Sequence, residues 1–87
     1  MYHVYILYSA TIDRYYIGYT NSPDERLYKH NNRHKGYTAK ADDWVLRYQE
    51  TLPTKSEAIK RERQIKRWKS RKMIEAISLV STKHRFD

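Results

Sequence analysis

Between Tyr15 and Asn31 the chain has almost no room to pass from one kind of secondary structure to another. Tyr15-Tyr16-Ile17-Gly18-Tyr19-Thr20 is aromatic and β-branched, which suits a strand. Asn21-Ser22 stops it, and Ser22-Pro23-Asp24-Glu25 starts a helix at once. Ser22 suits the N-cap, Pro23 the first helical position and Glu25 the third, a capping box. On the helix that follows, Arg26 and His30 are one turn apart and share a face. The chain must therefore carry a strand containing a glycine directly into a helix that presents a guanidinium beside an imidazole. A small core has little use for either group.

The size of that core is limited. Eighty-seven residues make one domain, 1–87, with a polar tail from Thr82 to Asp87 that is expected to fray. Nine tyrosines raise the aromatic share to 14%, and each brings a hydroxyl that needs a partner or a use. The formal net charge of +8 suits a polyanionic partner, or simply solubility. With no cysteine, disulfides and thiolate metal sites are excluded. No apolar run approaches the ~20 residues of a membrane span, and the N-terminus has no leader pattern. The expectation is a soluble, cytoplasmic protein with no membrane association.

Tyr2 to Ser9 reads as a first strand, with Val4 and Ile6 on one face and Tyr5 and Leu7 on the other. A polar turn over Ala10 to Arg14 leads into the second strand, giving an antiparallel hairpin. Because faces alternate with period two, Tyr5 and Tyr16 share one only if the residue opposite Tyr16 is odd-numbered. The segment Asn32 to Lys40 is basic and glycine-punctuated, an exposed loop whose cations suit phosphates. Trp44 to Thr51 is a third strand with Trp44, Leu46 and Tyr48 on one side. Asp42-Asp43 reads as surface.

Thr54-Lys55-Ser56-Glu57 offers a second capping box, opening a helix from Lys55 to about Lys69. Its inward arc centres on Ala58, Glu62 and Ile65, with Ile59 and Trp68 at the edges. Glu62 thus falls where an apolar residue is expected. An inward carboxylate costs several kcal/mol unless a cation or metal compensates it. The plain alternative is an ordinary pair with Lys66 one turn on. Ser70 caps a last helix with an apolar stripe of Met73, Ile74, Ile77 and Val80, read as core.

Five residues remain that can do chemistry together: Tyr5, Tyr16, Arg26, His30 and Glu62. One carboxylate with waters and substrate oxygens suits Mg²⁺ or Mn²⁺, which keep much of their hydration. An arginine neutralises charge on a phosphate. A tyrosine can take a proton from water if its pKa falls by roughly three units, about 4 kcal/mol, with Arg26, His30 and a bound metal as sources of the shift. His3, His34 and His84 read as isolated surface or strand residues.

At these residues the chain resembles the GIY-YIG nuclease superfamily, closest to its small stand-alone bacterial branch. His3-Val4-Tyr5 stands at the first motif and Tyr16-Ile17-Gly18 matches the second. Arg26 and His30 fall at the family's arginine and histidine, and Glu62 resembles its metal-binding glutamate. The likeness covers nearly the whole chain. It implies an α/β fold with a three-stranded antiparallel sheet flanked by helices. It also implies hydrolysis of DNA phosphodiesters at one Mg²⁺ or Mn²⁺ held by Glu62, in repair or in the processing of unusual DNA structures. Tyr5, or else Tyr16, would activate water; His30 would orient or relay a proton and Arg26 would stabilise the phosphoryl charge. Gly18 would admit substrate or the following helix. Arg33, Lys35, Tyr37, Lys40 and Lys66 would bind substrate, with RNA an open alternative and a partner protein a source of specificity. Two departures stand out: His3 and Val4 replace the usual glycine and isoleucine, and no asparagine follows Asn32.

Two other classes stay open. One is a non-catalytic nucleic-acid-binding module in which Arg33, Lys35, Lys40, Arg61, Lys66, Arg67 and Lys69 grip the backbone and Tyr37 or Trp68 stacks. The other is an interaction protein whose charge serves solubility alone.

Overall fold

A computed structural model describes residues 1–32 and 37–86, with side chains described outside 37–38 and 79–86. Arg33 and Lys35 lie outside the described residues, as does the side chain of Tyr37. Strands β1 (Tyr2–Ser9) and β2 (Arg14–Thr20) precede helix α1 (Pro23–Asn32) and a 3₁₀ turn (Tyr37–Lys40). Strand β3 (Val45–Leu52) and helices α2 (Lys55–Arg67) and α3 (Arg71–Phe86) complete the order. The sheet is antiparallel with β1 in the centre, in the order β2-β1-β3. It is the α/β arrangement expected from the sequence. The helical backbone of α3 continues to Phe86, past the start of the expected tail at Thr82.

The central strand separates two apolar layers. Val4 and Ile6 join Ile17, Ala58 and Ile65, with Ile74 and Ile77 packed against them. Tyr5 and Leu7 join Trp44 on the opposite side, where Leu27 of α1 and Leu46 pack. This follows from period-two alternation on a strand buried on both faces. Leu7 is paired with Tyr16, so the odd-numbered condition is met and Tyr5 and Tyr16 share a face.

The third strand departs from the expected pattern. Ile6 pairs with Tyr48 while Leu7 pairs with Leu46, so Arg47 is an extra residue at a bulge. Leu46 therefore faces Leu7 and Trp44, whereas Tyr48 faces Ile6. The single apolar side read from the sequence is split. Trp44, 2% exposed, lies just before the strand. Met73 is 46% exposed and leaves the expected stripe of α3; the side chain of Val80 lies outside the described ones.

Polar side chains close the connections. At the start of α1, the Thr20 hydroxyl accepts from the Ser22 N–H at 3.1 Å, and the Ser22 carbonyl accepts from Arg26 N. Thr54 caps α2 by accepting from Glu57 N, and Ser70 Oγ accepts from Met73 N. Trp68 ends α2, and Lys69 takes a positive φ of 49°. Asp43 is not merely surface. Its carboxylate accepts from the buried Ser9 hydroxyl and from the N–H and hydroxyl of Thr11, tying the hairpin turn to the start of β3.

Asn31 does the same for α1. Its amide donates to the Trp44 carbonyl at 3.0 Å and accepts from the Trp44 N–H at 2.7 Å, imitating a strand partner. This clip fixes the last turn of α1, and with it His30, against the sheet. Two hydrogen bonds at about 0.5–1.5 kcal/mol each predict that Asn31→Ala lowers stability by about 1–3 kcal/mol. A denaturant midpoint unchanged from the wild type would contradict that role.

Candidate active site

Tyr5 and Gly18 are direct cross-strand partners, and this pairing builds the site. A Cβ on residue 18 would lie 2.6 Å from the Tyr5 hydroxyl oxygen, 2.8 Å from Tyr5 Cζ and 3.2 Å from Tyr16 Cε2. The missing side chain makes room for the Tyr5 phenol, and Gly18 itself lines the cavity described next. The ring crosses the glycine and its hydroxyl meets His30 Nε2 at 3.0 Å. Tyr16 packs beside it, 6.3 Å from Tyr5 and 4.8 Å from His30 between ring centroids.

A polar cavity of about 440 Å³ opens at this point. It wraps around the end of the sheet. Tyr5, Tyr16 and Gly18 line it from the side where α1 packs, and Tyr2 and Tyr19 from the side covered by α2 and α3. Helix α1 contributes Arg26 and Lys29, and α2 contributes Glu62 and Lys55. Four of the five residues singled out by the sequence thus line one cavity, and His30 is bonded to one of them. The Glu62 side chain is 14% exposed and forms an ion pair with the more exposed Lys66 at 3.4 Å. The two readings of Glu62 are both realised: it faces the cavity, and Lys66 reaches over to it.

The protein groups alone hold Tyr5 and His30 neutral. Burial pushes the Tyr5 phenol well above the ordinary tyrosine range, and Tyr16 and Glu62 add to the shift. Arg26 opposes it by charge and by hydrogen bonding, without overcoming desolvation. Tyr5 is therefore a neutral phenol here. His30 is pushed down from the ordinary imidazole value, first by burial and then by the Arg26 charge, so it too is neutral near pH 7. In the tautomer with its proton on Nδ1, Nε2 accepts the Tyr5 O–H.

Other expected substrate contacts fare differently. Lys40 is exposed in the 3₁₀ turn and is not among the residues lining the cavity. Arg61 is not free to grip a backbone, since it is held by Glu50 and Gln64. Lys29 and Lys55 were missed, although helical spacing carried the signal: Lys29 follows Arg26 by three and Lys55 precedes Glu62 by two turns. Among the described residues no group of three or more His, Cys, Asp or Glu could enclose a metal. The donor set instead suits a hydrated hard cation in a polar cavity whose lining includes the carboxylates Glu62 and Glu25. No helix among the described residues is long and apolar enough to cross a membrane.

Two predictions follow from the packed phenol and imidazole. Gly18→Ala forces Tyr5 off its seat and costs about 1–3 kcal/mol as overpacking; a thermal midpoint equal to the wild type would show that the ring has slack. The depressed His30 pKa means the unfolded chain binds the proton more readily, so this term is fully present above the ordinary imidazole value near 6.5 and is lost as pH falls through the folded pKa. By NMR, His30 titrates below that value and moves upward in Arg26→Gln. A midpoint at or above the ordinary value would refute the burial.

Comparison with known proteins agrees with this geometry. The family model described as the GIY-YIG catalytic domain matches residues 1–75. A UPF0213 protein of Staphylococcus saprophyticus is 42% identical over 64 residues, covering 72% of this chain and 78% of the relative. A UPF0213 protein of Staphylococcus epidermidis is 44% identical over 64 residues, 71% of this chain and 77% of the relative. One from Halobacterium salinarum is 37% identical over 67 residues, 76% and 86% of the two chains. These names state no activity. No solved structure gives a significant match.

Proposed function

The chain belongs to the GIY-YIG family, which implies nuclease-type chemistry, and from that premise we propose a divalent-metal-dependent endonuclease that hydrolyses DNA phosphodiesters. The observation that carries the reading is the convergence of Tyr5, Tyr16, Arg26 and Glu62 on one cavity, with His30 hydrogen-bonded behind Tyr5.

The proton path runs through neutral groups. Water attacks phosphorus and passes its proton to the Tyr5 oxygen, while the Tyr5 proton moves to His30 Nε2. The opposite ester P–O bond breaks and the departing sugar oxygen takes a proton from solvent, giving one phosphomonoester and one free hydroxyl end. No ground-state phenolate is required, which suits a phenol whose burial opposes ionisation. The imidazolium so formed is buried beside Arg26 and releases its proton readily, because both effects disfavour its charged form. Arg26 meets the charge that develops on the phosphoryl oxygens, and Lys29 and Lys55 hold flanking phosphates at the rim. Tyr16 walls the imidazole and keeps it against Tyr5. Glu62 would hold one Mg²⁺ or Mn²⁺, and that ion, when bound, lowers the pKa of water and polarises the phosphate. Lys66 would then exchange Glu62 for a substrate oxygen.

The binding-module alternative rests on the same basic rim and differs only in cleavage. The test is purified protein with Mg²⁺ or Mn²⁺ against nicked, branched, single-stranded and duplex DNA, with RNA alongside. Glu62→Ala and Tyr5→Phe should each reduce cleavage by about 100-fold or more while circular dichroism and DNA affinity stay near wild type. Full-rate cleavage by either variant would remove its role, and affinity without any wild-type product would favour the binding module.

A further inference from the structure

Helix α2 has a second face that the cavity does not use. Around a helix of about 100° per residue, Ala58 and Ile65 point to the core, while Lys55, Glu62 and Lys66 point to the cavity side. Ser56, Lys60, Arg63 and Arg67 form a stripe roughly 110° further round, beyond Ile59. These residues with Ile59 line a shallow groove of about 390 Å³.

The stripe is cationic by segregation. Neither acid of α2 lies on it: Glu62 faces the cavity, and Glu57 sits near the far edge of the helix. Of the other cations of this helix, Arg61 is paired with Glu50 and Lys66 with Glu62. Among the described residues, Lys60, Arg63 and Arg67 have no ion pair, and all three are exposed. An exposed helix that needed only solubility would mix signs and pair its charges at one-turn spacing. Here the pairing is confined to the other faces.

We propose that this stripe is a second phosphate-backbone contact for duplex DNA, flanking the bond held in the cavity. The charge suits that occupant. Lys60 to Arg67 spans about 10 Å along the axis at 1.5 Å per residue, a row of cations of one sign that complements the uniform negative charge of a nucleic-acid backbone. The Ser56 hydroxyl extends the row with a neutral donor. Contacts to phosphates carry no sequence information, so in this role the stripe adds affinity and orientation without sequence preference. This inference rests on the nuclease reading of the cavity.

The test compares the full chain with the triple variant Lys60→Gln/Arg63→Gln/Arg67→Gln. A control triple, Arg14→Gln/Arg47→Gln/Lys72→Gln, removes the same charge from other exposed positions. Affinity for a duplex DNA is measured against salt with a chelator present, so that nothing is cut. Each phosphate contact contributes about 0.9 to the slope of log affinity against log salt. The stripe variant should lose about 2–3 from that slope and the control less than 1, while single-turnover cleavage at saturating DNA keeps the wild-type rate. Equal slopes for wild type and stripe variant, or an equal loss in both triples, would overturn the proposal even if the wild type cuts DNA. A wild type with no DNA affinity would overturn it together with the nuclease reading.

Discussion

One aromatic ring lying across one glycine sets the rest of the site. Because residue 18 has no side chain, the Tyr5 phenol crosses the neighbouring strand and reaches His30 on the helix beyond. That contact spans the sheet and α1, and Tyr16 can pack on the imidazole only because it does. The chain thereby solves a problem of small size. A three-stranded sheet with a thin core cannot enclose an active site, so it builds one at the sheet's end from side chains laid over backbone.

The same contact sets the electrical character of the cavity. Burying a phenol and an imidazole beside an arginine favours the neutral form of both titrating groups. The cations Arg26, Lys29 and Lys55 then remain as the positive field at the rim, outnumbering the lining carboxylates Glu25 and Glu62. A polyanion is drawn to such a surface, and a proton can pass along a pair of groups that carries no charge at rest.

Much of this was legible in the letters. Alternating aromatic and β-branched residues marked all three strands, and Thr54 and Ser70 marked helix starts. Glu62 was conspicuous because helical periodicity placed it inward. What stayed hidden was long-range. Asn31 and Trp44 are thirteen residues apart, and nothing local announces that one amide will pair with the other's backbone. Asp43 looked like half of a surface acidic step because its partners Ser9 and Thr11 come from the far end of the hairpin. Gly18 was seen to need space, but only the register shows that Tyr5 fills it. The desolvation that raises the Tyr5 pKa was not legible, because nearby cations can be counted in a sequence whereas burial cannot.

The extra residue at Arg47 acts as a change of phase. Upstream of it, Leu46 belongs with Trp44 under α1; downstream, Tyr48 belongs with Ile6 under the other helices. Loss of that one residue would make Leu46 and Tyr48 neighbours on a regular strand, still opposite Leu7 and Ile6 and still on opposite faces, whereas loss of a paired residue on either side would turn one part of β3 inside out. Chain length is therefore constrained among the paired residues of β3 and relaxed at the bulge itself. Other insertions and deletions compatible with the fold must fall in connections whose geometry does not decide which way a side chain faces.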